Sequence, residues 1–293
     1  MRFTPLASGS RGNACLIRSG DIGLLIDLGL GPRGLAGRLA DAGSGWESIA
    51  SVLLTHTHGD HVKPDCFRRM IQFRIPLYCH AAHRKNLRNY PTFTRLDEAG
   101  LVREYDDRPW LAPGGFRVEA IAASHDDEAT HGFRIEARER RWHPTRAVGY
   151  LADTGCWNER QVEALADANI LAIEFNHDVE LQRRSGRPPF LISRILGDFG
   201  HLSNDQGAAL AARVLSVSRP NAVKALVLLH MSEQCNLPDL ALAAAREAIR
   251  RSGRRLTARL ALQDRATESL SLESSQRSGL TIRLESQGSS ILA

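Results

Sequence analysis

Several things are missing from this 293-residue chain, and each absence excludes a class of protein. No run approaches the eighteen or so uninterrupted apolar residues that a membrane-spanning helix needs. The opening MRFTPLASGSRGN shows neither an apolar signal core nor a cleavage-site pattern. The five cysteines (Cys15, Cys66, Cys79, Cys156, Cys235) include no CxxC pair, and their odd number and scatter predict reduced thiols in a cytoplasmic protein. No repeat is evident, and no linker is rich enough in Pro, Gly or Ser to divide the chain. Lysine is nearly absent as well, standing only at positions 63, 85 and 224. The net charge of +5 is therefore carried by arginine, which suits a polyanionic partner but is also what GC-rich coding produces.

What is present is an alternation. Apolar residues make up 43% of the chain, enough for one large core. Short apolar runs at 14–19, 22–29, 51–56, 75–81, 116–124, 147–155, 169–176 and 223–231 read as buried strands. Helical patterns with start and stop residues fall at 33–43, 64–74, 158–168, 204–216 and 237–253. Strands alternating with helices over the whole length imply α/β layers, helices packed on sheets. The segment 133–150 looks like a charged hairpin with its tip near Arg141. The domain is expected to occupy 1–272, and the polar stretch 273–293 to be a frayed tail or a weak terminal hairpin.

The chemistry is concentrated in LLTHTHGDHV (53–62), which holds three of the eleven histidines directly after an apolar run. Imidazoles and carboxylates withdrawn from water need partners, so a group this dense calls for something that satisfies its members together. His56 and His58 should project from one side of a still-extended chain. Gly59 is expected to permit a sharp turn, with a helix starting near Pro64 and Asp60 and His61 at the junction. Neutral imidazole and carboxylate are ligands for Zn²⁺, Mn²⁺, Fe and Ni²⁺. One motif cannot fill two coordination spheres. Further candidates stand at the ends of other strands: Asp27 in LLIDLG, His125 in SHDD, Asp153 in ADTG and His230 in LHMS.

THTHGDH resembles the HxHxDH signature of the metallo-β-lactamase superfamily, and Asp27, His125, Asp153 and His230 follow in that superfamily's motif order. LASGSRGN, GYLADTG, EFNHD, GHLSN and LLHMSEQCN resemble its YycJ/WalJ-like branch of small bacterial metal-dependent exonucleases, over roughly residues 3–265. The resemblance implies a single-domain αββα sandwich with two divalent ions, Zn or Mn first, Fe or Ni as alternatives. It implies that His56, His58 and His125 bind one ion, that Asp60, His61 and His230 bind the other, and that Asp153 bridges them. Asp27 would accept an imidazole N–H from behind.

The expected reaction is hydrolysis by a metal-bridging hydroxide oriented by Asp60, with DNA attacked from a 5′ end. Polarity and DNA preference come from the resemblance alone. The alternative is a small-molecule hydrolase acting on a thioester, lactam, lactone or cyclic phosphodiester. A third reading is a metal-stabilised binding or regulatory protein. Weaker signals keep two readings each. Ser8, Ser10, Gly12 and Asn13 form either a tight hairpin turn or a loop facing phosphate, with Ser10 and Asn13 as its contacts. His177 and His201 either edge the cleft, protonating a leaving oxygen or touching phosphate, or serve structural hydrogen bonds. ARERRWHPTR is a solvated hairpin tip or a grip on a nucleic-acid backbone. His80, His83, His131 and His143 read as structural or exposed.

Overall fold

The computed structural model describes residues 1–127, 129–137, 145–275 and 279–285. Two sheets lie at its centre. The first contains β1 (Arg2–Ala7), β2 (Ala14–Ser19), β3 (Ile22–Ile26), β4 (Ile49–Leu53), β5 (Leu77–His80) and β6 (Val102–Tyr105) side by side in chain order. Two late strands, β14 (Ser269–Ser275) and β15 (Gly279–Glu285), extend it beyond β1. The second sheet runs β13-β12-β11-β10-β9-β8-β7. Its members are β7 (Trp110–Ala112), β8 (Phe116–Ala123), β9 (Thr130–Ala137), β10 (Arg146–Leu151), β11 (Ile170–Glu174), β12 (Ala225–Leu229) and β13 (Thr257–Leu260).

The helices are α1 (Pro32–Asp41), α2 (Cys66–Phe73), α3 (His83–Leu87), α4 (Pro91–Glu98), α5 (Glu159–Leu165), α6 (Val179–Arg183), α7 (Pro189–Leu196), α8 (Asn204–Val217) and α9 (Pro238–Arg251). The apolar runs are continuous because the strands are covered on both faces. Along β3, Leu24 and Ile26 point into the core between the sheets while Leu25 packs toward α1 and α2. Along β12, Val227 and Leu229 share that inner core while Leu226 and Leu228 face α8 and α9. The period of two thus divides each strand between an inner and an outer core, giving the αββα layering.

Topology sets where the site falls. β3 through β6 are parallel, as are β10 through β13. β8 is antiparallel to β9 and β9 to β10, so β8 runs in the direction of β10. The carboxyl ends of β3 and β4 therefore share one edge of the first sheet, and those of β8, β10, β11 and β12 share one edge of the second. The expected ligand positions follow those ends, and the two edges meet there: the backbone N–H of His230 donates to Ser8 Oγ across them at 2.8 Å.

Some local expectations change. The strand at 51–56 ends at Leu53, and the helix expected from Pro64 begins at Cys66. Gly59 does not adopt the left-handed region, and a Cβ there would meet open space. The turn is made instead by the N–H groups of His61 and Val62, both donating to the His58 carbonyl. The hairpin at 133–150 consists of β9 and β10, with Ala137 opposite Arg146. Its expected tip near Arg141, the core of the Arg-rich run and His143 lie outside the described residues. Residue 272 falls inside β14, and β14 and β15 pair antiparallel from Ser269–Glu285 to Ser275–Gly279. All five cysteines are free thiols. Among the described residues, no helix is long and apolar enough to cross a membrane.

Candidate metal centre

The turn after β4 and the ends of β8, β10 and β12 bring seven side chains together. His56, His58 and His125 offer ring nitrogens within 4.8 Å of one another, and so do the ligand atoms of Asp60, His61 and His230. Asp153 links these groups, because its carboxylate lies within 4.8 Å of ring nitrogens of both His56 and His61. Its Oδ2 is 3.1 Å from His61 Nε2, and its Oδ1 is 3.0 Å from His230 Nδ1.

The chain fixes these groups before anything binds. Asp27 is fully buried; its Oδ1 accepts from the Thr55 N–H at 2.8 Å and its Oδ2 from His61 Nδ1 at 2.7 Å. His61 is thereby held with Nε2 facing the cleft. His125 Nδ1 donates to the Gly200 carbonyl at 2.9 Å, which leaves its Nε2 for the His56–His58 side. The loop carrying His56 and His58 is pinned through Thr57, whose N–H and hydroxyl both donate to Asp127 Oδ2.

Asp27, Asp153 and His230 all adopt left-handed backbone, with φ of 64°, 55° and 52°. This conformation is costly for residues other than Gly, Asn and Asp, and persists where the surroundings over-determine it. Each of the three follows a parallel strand within two residues, so the chain turns sharply as it leaves the sheet and its side chain swings into the cleft.

The donor set fits divalent cations on two observations. Among the described residues, buried His56 Nε2 has no hydrogen-bond partner, and buried Asp153 Oδ2, though close to His61 Nε2, meets no donor in good hydrogen-bond geometry, an arrangement that costs free energy unless another group satisfies it. Nitrogen and oxygen donors without thiolate are also the set that Zn²⁺ and Mn²⁺ accept. Electrostatics agree. Burial alone would depress the His61 pKa, but Asp153 and Asp27 override it and raise the imidazole to about 10. Burial opposes ionisation of Asp153 too, yet His230 and His61 hold its carboxyl well below the usual range. The cluster concentrates negative charge and draws positive charge to itself.

Other expected residues are placed unequally. His201 comes to the rim, its Nδ1 2.8 Å from Glu174 Oε1 and its ring centroid 4.9 Å from that of His125. His177 does not. It is fully buried and outside every candidate donor group, and its carbonyl accepts from the Asn204 N–H at the start of α8. Its ring is enclosed away from the cleft, and neither ring nitrogen has a hydrogen-bond partner among the described residues. Ser10 is exposed on the loop. Asn13 is buried, with Nδ2 3.0 Å from His61 Nε2 and 3.3 Å from Asp60 Oδ2, so it braces the ligands from inside.

Two carboxylates were not expected. Glu174, the last residue of β11, is fully buried and accepts from the Thr154 N–H at 3.0 Å while lying 3.1 Å from His230 Nδ1. Burial pushes its pKa up, but His201 and His230 outweigh this and bring it to about 2. Asp126 Oδ1 lies 3.5 Å from His58 Nε2 and 3.4 Å from His125 Nε2. Both stood in motifs already read, EFNHD and SHDD, at the same strand-end position that marked Asp153.

A family model described as a beta-lactamase superfamily domain matches residues 24–231, and the chain belongs to that superfamily. Its αββα layering and the histidine–aspartate cluster on the sheet edges are those of the metallo-β-lactamase fold. Within it, the chain groups with the YycJ/WalJ-like branch. It is 28% identical over 247 residues to the exodeoxyribonuclease WalJ of Streptococcus pneumoniae, covering 82% of this chain and 85% of the relative. It is 27% identical over 259 residues to the exodeoxyribonuclease YycJ of Bacillus anthracis, covering 86% and 90%. Among solved structures, the metallo-β-lactamase fold protein YhfI from Bacillus subtilis superposes with a TM-score of 0.63 at 17% identity. That match covers 91% of this chain and 98% of the other.

Proposed function

We propose that this protein is a two-metal phosphodiesterase that removes nucleotides from a 5′ end of DNA. The observation that carries the reading is the pair of adjacent donor groups, three imidazoles in one and Asp60, His61 and His230 in the other, with Asp153 within reach of His56 from the first and His61 from the second. The relatives' names supply the DNA substrate, and the +5 net charge agrees with a polyanion.

His56, His58 and His125 would hold one ion, and Asp60, His61 and His230 the second, with Asp153 shared between them. When bound, two such ions lower the pKa of water and neutralise charge on the attacking and leaving oxygens of a diester. The chain's own residues do the rest. Asp27 keeps the His61 Nε2 lone pair aimed at the cleft, and Glu174 and Asn176 orient His230. Asp60 is partly exposed and has a carboxylate oxygen available to orient a nucleophilic water by accepting its hydrogen bond. His201 keeps its Nδ1 on Glu174, which leaves Nε2 at the rim to give a proton to the departing oxygen.

The test is hydrolysis of 5′-phosphorylated single- and double-stranded DNA by protein loaded with Mn²⁺ or Zn²⁺, beside a thioester and a lactam. Shortening from the 5′ end, lowered at least roughly a hundredfold by Asp60→Asn, is expected. Intact DNA together with turnover of the thioester or lactam would assign the protein to small-molecule hydrolysis instead. Elemental analysis of protein purified without chelator identifies the resident metal.

A further inference from the structure

Helix α7 is an energetic anomaly. Five of its eight residues are apolar (Phe190, Leu191, Ile192, Ile195 and Leu196), and none is buried. Phe190 is 74% exposed, and Phe199, just beyond the helix, is 65% exposed. Large rings left in water beside a functional centre mark a surface that something covers.

This segment is fastened to the metal centre. Ser124 Oγ donates to the Asp198 carbonyl at 2.7 Å, and His125 Nδ1 to the Gly200 carbonyl. Arg194 pairs with Asp126, which faces His58 and His125. Phe190 precedes Arg194 by four residues, so both lie on one face of the helix about 6 Å apart along its axis. Phe199 stands two residues before His201, within about 7 Å of it along the backbone. The stretch 183–197 contains four arginines, of which Arg183 and Arg184 pair with Glu180 and Arg194 with Asp126. Arg187 hydrogen-bonds to the neutral amides of Gln182 and Gln234, which leave its charge uncompensated.

From this geometry we infer that α7 and the following loop form a stacking platform for unpaired nucleobases at the end of a single-stranded DNA substrate. The rings of Phe190 and Phe199 take base faces, and Arg187, whose guanidinium hydrogen-bonds to neutral amides, takes a phosphate. The inference rests on the DNA-hydrolase reading and adds to it. The enzyme engages its substrate through unstacked bases, a preference that the metal cluster alone does not impose. Aromatic faces stack on any base, so the platform is indifferent to sequence.

The experiment compares wild type with the double variant Phe190→Ala/Phe199→Ala. Binding is read by fluorescence anisotropy with a short 5′-phosphorylated single strand on metal-free protein, and hydrolysis is followed separately on loaded protein. The same strand with abasic sugars at its 5′ end completes the cycle. A loss of roughly tenfold in affinity is expected on the ordinary strand and little on the abasic one, with Phe→Tyr at both positions restoring binding. Equal losses on both strands, or no loss on either, overturn the platform. So does a wild-type dimer in sedimentation that the alanine variant disperses, because a second copy of the chain would then be the occupant. Wild type that hydrolyses DNA with unaltered variants refutes the platform alone. Wild type that leaves every DNA intact refutes the function on which it stands.

Discussion

Each of the buried carboxylates around the cleft is shared by donors from different parts of the chain. Asp27 serves the backbone and hydroxyl of Thr55 as well as His61. Asp27→Asn keeps the shape but can present an N–H where His61 Nδ1 needs an acceptor. Metal affinity of the Asp60–His61–His230 group is expected to fall roughly 10- to 100-fold, measured by metal titration with calorimetry. Asn13→Ala removes the group closest to both His61 Nε2 and Asp60 Oδ2. The same titration should register a weaker second ion, with secondary structure unchanged by circular dichroism. The residues gathered here were largely visible in the sequence, because a ligand type terminating an apolar run is a local signal. Glu174 and Asp126 carried the same signal but stood beside residues that drew attention first. Asn13 read only as a turn residue or a phosphate contact, since its place beside His61 and Asp60 depends on a loop near residue 10 reaching a turn near residue 60, and no local pattern encodes that distance.

Strands buried on both faces announce themselves as unbroken apolar runs, and all eight such runs became strands. Short or polar elements did not: β7, α3 and α6 have three to five residues each, too few for a period to show. Backbone conformation was poorly legible: the left-handed turns at Asp27, Asp153 and His230 carried no signal of their own. Gly59 looked like the hinge of the HxHxDH turn, whereas the close approach belongs to Gly29. A Cβ there would lie 1.9 Å from the Asp60 carbonyl oxygen. Gly59→Ala is accordingly expected to change stability by less than about 0.5 kcal/mol, and Gly29→Ala to yield misfolded or strongly destabilised protein, compared by urea denaturation.

The start of α3 adds a pH dependence. His83 is fully buried, its Nε2 donating to the Ala129 carbonyl and its Nδ1 accepting from the His80 N–H. Burial lowers its pKa from 6.5 to about 4, and a second proton would destroy the accepted hydrogen bond. The unfolded chain binds that proton near pH 6.5 and the folded one resists it, so stability is retained above 6.5 and lost progressively as pH falls to about 4. The loss reaches about 3 kcal/mol at most from this residue. Urea midpoints between pH 7 and 4.5 should fall less steeply in His83→Gln than in wild type.

At the scale of the whole molecule, the inner core between the sheets and the cleft at their edge form one assembly. Asp27, His56, His58, Asp60 and His61 come from the first sheet, and His125, Asp153, Glu174 and His230 from the second. Ions that join the two edges should bind the folded state alone. Chelation followed by dialysis is expected to lower the melting temperature by roughly 5 °C or more, and reloading with Mn²⁺ or Zn²⁺ to restore it. A single midpoint in the calorimeter for both states would accord with one cooperative unit.

This division also has a bearing on how the protein is made. Four of the seven candidate ligands leave the ribosome before residue 62, and the last, His230, follows long afterwards. A chain that stops before residue 230 therefore lacks part of the donor set, and the full set exists only when the edge of the second sheet lies against that of the first.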